Sequence, residues 1–229
     1  MKKTFNLREI FWSSFSKVKQ KLLFFVGFTL FIIFVSLFVT LPLNIYSESI
    51  KDTNLFGYTI IILISFLLSF LISAIISPGI VTISLKASRG ESVSFNDFLG
   101  KTKYVVRIMV ANVIYFILIT IGFLLLIVPG LFVLIRLQFI PYLIVDKNMG
   151  AIEAIKESYQ ITKGNTLKLF VLNLIVVPAL VILGFLLLVV GVLFAIPMVY
   201  LMYAMVYDKL QQLYFDKKLI NKTNPNTVN

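Results

Sequence analysis

Six long apolar runs dominate the chain, separated by short polar stretches. Runs of about 18 or more apolar residues can cross the ~30 Å hydrocarbon core of a bilayer as helices. They place spans over residues 22–46, 55–85, 104–128, 131–145, 166–189 and 192–210. The second run exceeds one straight crossing, and Ser77-Pro78-Gly79 is expected to kink it. The fourth is short and holds Pro141; the fifth and sixth hold Pro178 and Pro197. Proline is tolerated in such spans because neighbouring groups satisfy the freed carbonyls. Pro129-Gly130 and Gly191 read as turns. The pattern predicts an all-α fold, a polytopic membrane helix bundle whose six transmembrane helices form three hairpins.

The polar stretches have a pattern of their own. Over residues 6–16, Leu7, Ile10, Phe11 and Phe15 fall on one helical face with Trp12 beside them. Over residues 151–163, Ile152, Ile155 and Tyr159 share a face while Glu153, Lys156 and Glu157 turn to water. A third segment, 94–102, is also short and of mixed polarity. Each precedes an odd-numbered span and is expected to lie as a helix in the membrane interface. Asp146 or Asn148 suits the start of the helix at 151–163, and Gly164 suits its stop. Residues 1–215 then form one membrane domain, and the polar residues 216–229 read as a disordered tail.

Two of the hairpins look duplicated. Ile121-Gly122-Phe123-Leu124-Leu125-Leu126-Ile127-Val128 matches Leu183-Gly184-Phe185-Leu186-Leu187-Leu188-Val189-Val190 at an offset of 62 residues, and the same offset carries Asp146 onto Asp208. The repeat is parallel, each unit being an interfacial helix followed by a hairpin.

Composition narrows the chemistry. The 229 residues are 59% hydrophobic, with mean hydropathy +0.99, well above a soluble domain. There is no Cys and no His, which removes disulfides, thiol nucleophiles, imidazole bases and the usual zinc, haem and iron–sulfur ligands. No phosphate-binding glycine loop follows a strand, and neither metal nor cofactor is expected. The net charge of +11 does not point to nucleic acid here. Nineteen of the 21 Lys and Arg lie on one side of the six-span topology, Lys51 and Arg136 being the exceptions. That asymmetry predicts cytoplasmic termini, a multi-pass place in a cytoplasmic (inner) membrane, and a basic face that attracts anionic lipids.

Few residues at membrane depth can carry chemistry. Arg136 is the one charge within a span, where a charge is expensive and functional by default. It either holds an anionic headgroup or extends its stem to the nearer interface. Gln138, Asn112 and Asn173 are neutral polar groups at depth, suited to inter-helix hydrogen bonds or to a polar site. Asp146 and Asp208 read as caps at the cytoplasmic exits, and Gly122 and Gly184 as close-packing points.

Several of these features occur together in known proteins. Ser77-Pro78-Gly79 with Arg89-Gly90-Glu91, the run from Pro129 to Arg136, Pro141 to Asp146, Ala151 to Ser158, and Thr162-Lys163-Gly164-Asn165 resemble a group of bacterial six-helix integral membrane domains of unknown function. That group is related to the membrane domain of glycerophosphoryl diester phosphodiesterases. The resemblance covers residues 55–210 and is densest over 129–164. It implies a six-helix fold. In those phosphodiesterases the catalysis belongs to a separate soluble barrel bearing His and metal-binding carboxylates, so the resemblance carries no such activity to a chain without His. The expectation is a non-enzymatic accessory or scaffold protein that organises lipid, a membrane-protein partner or a second copy of itself. The alternative is a transporter or lipid-handling protein with a polar site near Arg136.

Overall fold

A computed structural model describes residues 4–99 and 101–223. The described residues form helices and no strand: α1 (Leu7–Gln20), α2 (Leu22–Ile50), α3 (Leu55–Ser88), α4 (Val105–Leu125), α5 (Ile127–Leu137), α6 (Ile140–Lys147), α7 (Ala151–Ile161), α8 (Thr166–Val171), α9 (Val177–Leu186) and α10 (Leu188–Thr223). A π-helical turn, Leu172–Val176, joins α8 to α9. Six segments are long and apolar enough to cross a membrane: α2, α3, Phe95–Leu125, α5 with α6, Thr166–Leu186, and most of α10.

Three helical hairpins result. In the first, α2 and α3 pack along each other, and Asn54 caps α3 by accepting from the Gly57 amide (2.8 Å). In the second, α4 returns as α5 and α6. The chain reverses at one extended residue, Leu126 (φ −169°, ψ 160°), three positions before Pro129-Gly130. Those two sit inside the first turn of α5, where proline removes an amide that has no partner in any case. The third hairpin likewise reverses at Leu187, ahead of Gly191. The glycines serve contact: a Cβ on Gly122 would stand 2.9 Å from Gly130 Cα, and one on Gly191 2.4 Å from the Gly184 carbonyl oxygen. Bare backbone lets the two arms of each hairpin close near the reversal.

Other expectations change in the structure. α3 runs unbroken through Pro78, with the Thr82 hydroxyl bonded back to the Pro78 carbonyl (2.8 Å). Residues 94–102 form no continuous helix but two short 3-10 turns, Phe95–Asp97 and Thr102–Tyr104; residue 100 lies outside the described residues. Phe98 from this stretch lies on Gly79 of α3, whose lack of a side chain makes the seat. The expected tail from residue 216 instead continues α10 to Thr223, since no proline or glycine interrupts helix-forming residues before Pro225; residues 224–229 lie outside the described residues.

α1 and α7 are tied into the bundle more firmly than interfacial helices need be, α1 largely by its expected face, with Leu7, Ile10 and Phe11 against the core, and α7 by an unexpected one. α1 lies on α10 and buries Ile10, Ser14 and Val18, while Trp12 faces outward. α7 packs on α4, α5, α6 and α10 through Ala154, Ser158 and Ile161, and leaves Ile152 62% exposed. In α7 the small side chains Ala154 and Ser158 allow close approach to the protein, and Ile152 and Tyr159 are left exposed.

The Gly79 seat is testable. Gly79→Ala would put a methyl 2.2 Å from the Phe98 ring. It is expected to cost about 1–3 kcal/mol, the usual range for overpacking. Thermal unfolding of the detergent-solubilised protein measures this, and adding Phe98→Leu should restore part of the loss.

Candidate functional site

Between the three hairpins lies a cavity of about 520 Å³. α2 contributes Ser36 and Thr40, and α3 contributes Ser69, Ser73 and Ser77, spaced four apart so that they share one helical face. α4 adds Asn112 and Tyr115, the break between α5 and α6 adds Gln138, and α6 adds Tyr142. Asn173 enters from the π-turn, and Tyr200 and Tyr203 from α10. More than half the lining residues carry a hydroxyl or an amide, and none is Asp, Glu, Lys or Arg.

Some of these groups are already partnered. Tyr203 donates to Asn173 Oδ1 (2.7 Å), and Asn173 Nδ2 donates to the Leu169 carbonyl (2.7 Å). The π-turn supports this arrangement, placing Asn173 opposite α10 just before Pro178 restarts the α-helix. Tyr115 donates to the Leu134 carbonyl (3.1 Å). Gln138 Nε2 is buried without a hydrogen-bond partner among the described residues. An unpaired polar group at membrane depth costs several kcal/mol unless water or a guest meets it.

On one side the cavity ends at an aromatic layer. Tyr142 and Tyr207 lie 5.4 Å apart between ring centroids, and Phe139 packs against both. Tyr207 is fully buried and donates to Asp146 Oδ2 (3.0 Å). Beyond it, Arg89 binds two carboxylates with one guanidinium: Nη1 to Asp146 Oδ1 at 2.7 Å and Nη2 to Asp208 Oδ1 at 2.8 Å. Ser88 donates to the second oxygen of Asp208 (2.9 Å), and Lys147 lies 3.4 Å from Asp146. Hydrogen bonding to Asp146, and then to Asp208, raises the Arg89 pKa above its ordinary high value, against the opposing effect of burial. Neither Asp146 nor Asp208 caps a helix: the N-cap of α7 is Gly150, whose amide donates to Glu153 (3.4 Å), and Asp208 lies within α10. The 62-residue offset thus brings both aspartates to one cation.

A second cavity of about 560 Å³ lies on the far side of this cluster, lined by Glu9, Ser13 and Lys17 of α1 with Arg89, Asp146, Asp208 and Gln211. Lys17 donates to the Ala87 and Ser88 carbonyls (3.3 and 3.1 Å), closing the end of α3. Arg107 donates to Asn148 Oδ1 (2.8 Å), and Lys168 to the Phe5 carbonyl (2.6 Å). These bonds gather the basic segments at one end of the bundle, its basic face.

The structure therefore brings together Asn112, Gln138 and Asn173 around the first cavity and leaves Arg136 out of its lining. Arg136 is 8% exposed. Its guanidinium lies between the rings of Phe132 (4.6 Å) and Tyr159 (4.4 Å), donating to Thr166 Oγ1 (3.1 Å) and the Tyr159 carbonyl (3.2 Å). Its own carbonyl, next to the helix break, accepts from Ser158 (2.8 Å). Arg136 fastens α5 to α7 and α8. Sequence reading gave no role to Arg89 beyond its place in the resemblance, and none to the tyrosines of α10. The four-residue serine spacing in α3 was the available signal for the cavity wall.

The apolar spans and helical bundle define a multi-pass α-helical membrane protein. The chain belongs to the family described as "Protein of unknown function (DUF975)", whose profile matches residues 52–214. The matched stretch holds Arg89, Asp146, Asp208 and all the lining groups from α3 onward; α1 and α2 precede it. No curated protein and no solved structure matches the chain.

Two substitutions test the side-chain roles. Arg89→Gln leaves two carboxylates without their shared cation and should cost about 1–3 kcal/mol, less than full burial would imply because Arg89 is 37% exposed. The triple variant Arg89→Gln/Asp146→Asn/Asp208→Asn should unfold at a higher temperature than Arg89→Gln alone. Arg136→Lys keeps the charge but loses the planar fork between the two rings, and should lower the unfolding temperature by several degrees.

Proposed function

We propose that this protein binds a small uncharged polar solute within the bilayer and carries it across. The observation behind this reading is the first cavity: a largely apolar wall set with hydroxyls and amides, one of them a buried unpartnered donor, bounds a space of about 520 Å³ with no charged side chain in its lining. Cavities of this size suit small molecules. An ionic guest would find no opposite charge there to offset its loss of water. A guest carrying hydroxyls or amides can meet the lining groups and lie against the rings of Tyr142, Tyr200 and Tyr203. The reading is non-enzymatic.

An accessory or scaffold role, the first expectation from the sequence, needs no such space, so the polar lining favours the transport alternative. The site differs from the one that alternative named, since Arg136 supports the wall from outside. On the positive-inside rule we place the basic face and both termini toward the cytoplasm, with anionic lipids along that face. The likeness to the membrane domain of glycerophosphoryl diester phosphodiesterases supports a second reading, in which the guest is the uncharged part of a lipid.

The test is flux in reconstituted vesicles followed by light scattering. Glycerol and urea should cross faster than in protein-free vesicles, while acetate and methylammonium should not. Asn112→Leu and Tyr203→Phe should each slow the neutral flux by about tenfold or less, the effect of losing one hydrogen bond. Neutral solutes crossing no faster than through bare lipid would sink the proposal, and faster exchange of a fluorescent lipid between leaflets would favour the second reading.

A further inference from the structure

We infer that the two cavities are halves of one solute path, separated by a gate that opens when the Arg89–Asp146–Asp208 cluster releases. This rests on the proposed function and adds where the path leads and what blocks it.

The partition is thin. Along α6, Tyr142 lines the first cavity and Asp146 the second, four residues apart, or ~6 Å along a helix. Along α10, Tyr203 lines the first and Asp208 the second, five residues apart, or ~7.5 Å. Only about one turn of each helix separates the spaces. Tyr207, fully buried, fills it with Tyr142 and points its hydroxyl at Asp146 on the second side. Each cavity also has a buried amide nitrogen without a partner among the described residues, Gln138 Nε2 in the first and Gln211 Nε2 in the second. A path for a neutral polar guest needs such donors on both sides of its barrier.

The barrier can be opened from its water-facing side. Arg89 is the residue after α3, followed by Gly90 in the left-handed region (φ +82°). Its side chain is 37% exposed, so a guanidinium leaving the aspartates meets water at once. On release the guanidinium gains hydration, while Asp146 (10% exposed) and Asp208 (23% exposed) keep the hydroxyls of Tyr207 and Ser88 as partners. The three charges come from α6, α10 and the end of α3, so their release frees one helix of each hairpin near the aromatic layer.

The sequence contains no cysteine, so single introduced thiols report access without background. Ser73→Cys places a thiol at the first cavity and Ser13→Cys at the second. A membrane-impermeant maleimide is added from the basic-face side of oriented vesicles, and each variant is checked by gel filtration. Ser13→Cys should react readily. Ser73→Cys should react slowly, then on the order of tenfold faster when Asp208→Asn or Arg89→Gln is added. Salt at about 1 M should accelerate the chain with its native cluster as well, through screening, which needs no gate variant to fold. The inference is overturned if Ser13→Cys reacts while Ser73→Cys stays equally slow under all these conditions. If Ser73→Cys resists even a small membrane-permeant maleimide, the first cavity is dry, and the proposed function falls with the gate.

Discussion

One guanidinium shared by two carboxylates holds the basic end of this bundle together. Arg89 leaves the end of α3, Asp146 the end of α6, and Asp208 the middle of α10, so each hairpin contributes one charge. Removing Arg89 leaves two carboxylates without their shared cation beside a fully buried tyrosine. Around this point the neighbouring contacts fall into place: Ser88 on Asp208, Tyr207 on Asp146, and Lys17 closing α3 from α1. The internal repeat gains a physical meaning here. The two similar hairpins each supply an acid, and the first hairpin supplies the cation that both share.

Elsewhere cohesion comes from small residues, because lipid solvates large apolar side chains as well as the protein interior does. That fact separates what could be read from the sequence from what could not. The six spans were legible, since length and hydropathy decide them. The face of α7 was not, and that of α1 was legible only in part. The amphipathic rule assumes water on the polar side and protein on the apolar side, whereas Ser14 and Ser158 are buried against protein and Ile152 and Tyr159 are exposed. The hairpin reversals were misplaced by a few residues for a related reason: Gly122, Gly130, Gly184 and Gly191 are conspicuous because they permit contact between arms, while the chain turns at Leu126 and Leu187.

The candidate site was legible in its parts but not in its arrangement. Asn112, Gln138 and Asn173 were recognisable as polar groups at depth, and they do line one space. Their grouping depends on helix rotation within the bundle, which hydropathy does not encode. Arg136 drew notice as a lone charge, yet two aromatic faces, a threonine and a carbonyl account for its enclosure. Arg89 looked ordinary because it lies in a basic loop, where arginine is common, and only the fold reveals its two acids.

α10 has one further consequence. Its 36 residues span about 54 Å, well beyond the hydrocarbon core, and no turn or break interrupts them between Tyr200 and Gln211. The same stiff rod therefore bears Tyr203 at the cavity, Tyr207 in the partition and Asp208 in the ion cluster. The cavity wall, the aromatic layer and the ion cluster are thus held at fixed spacing along one helix.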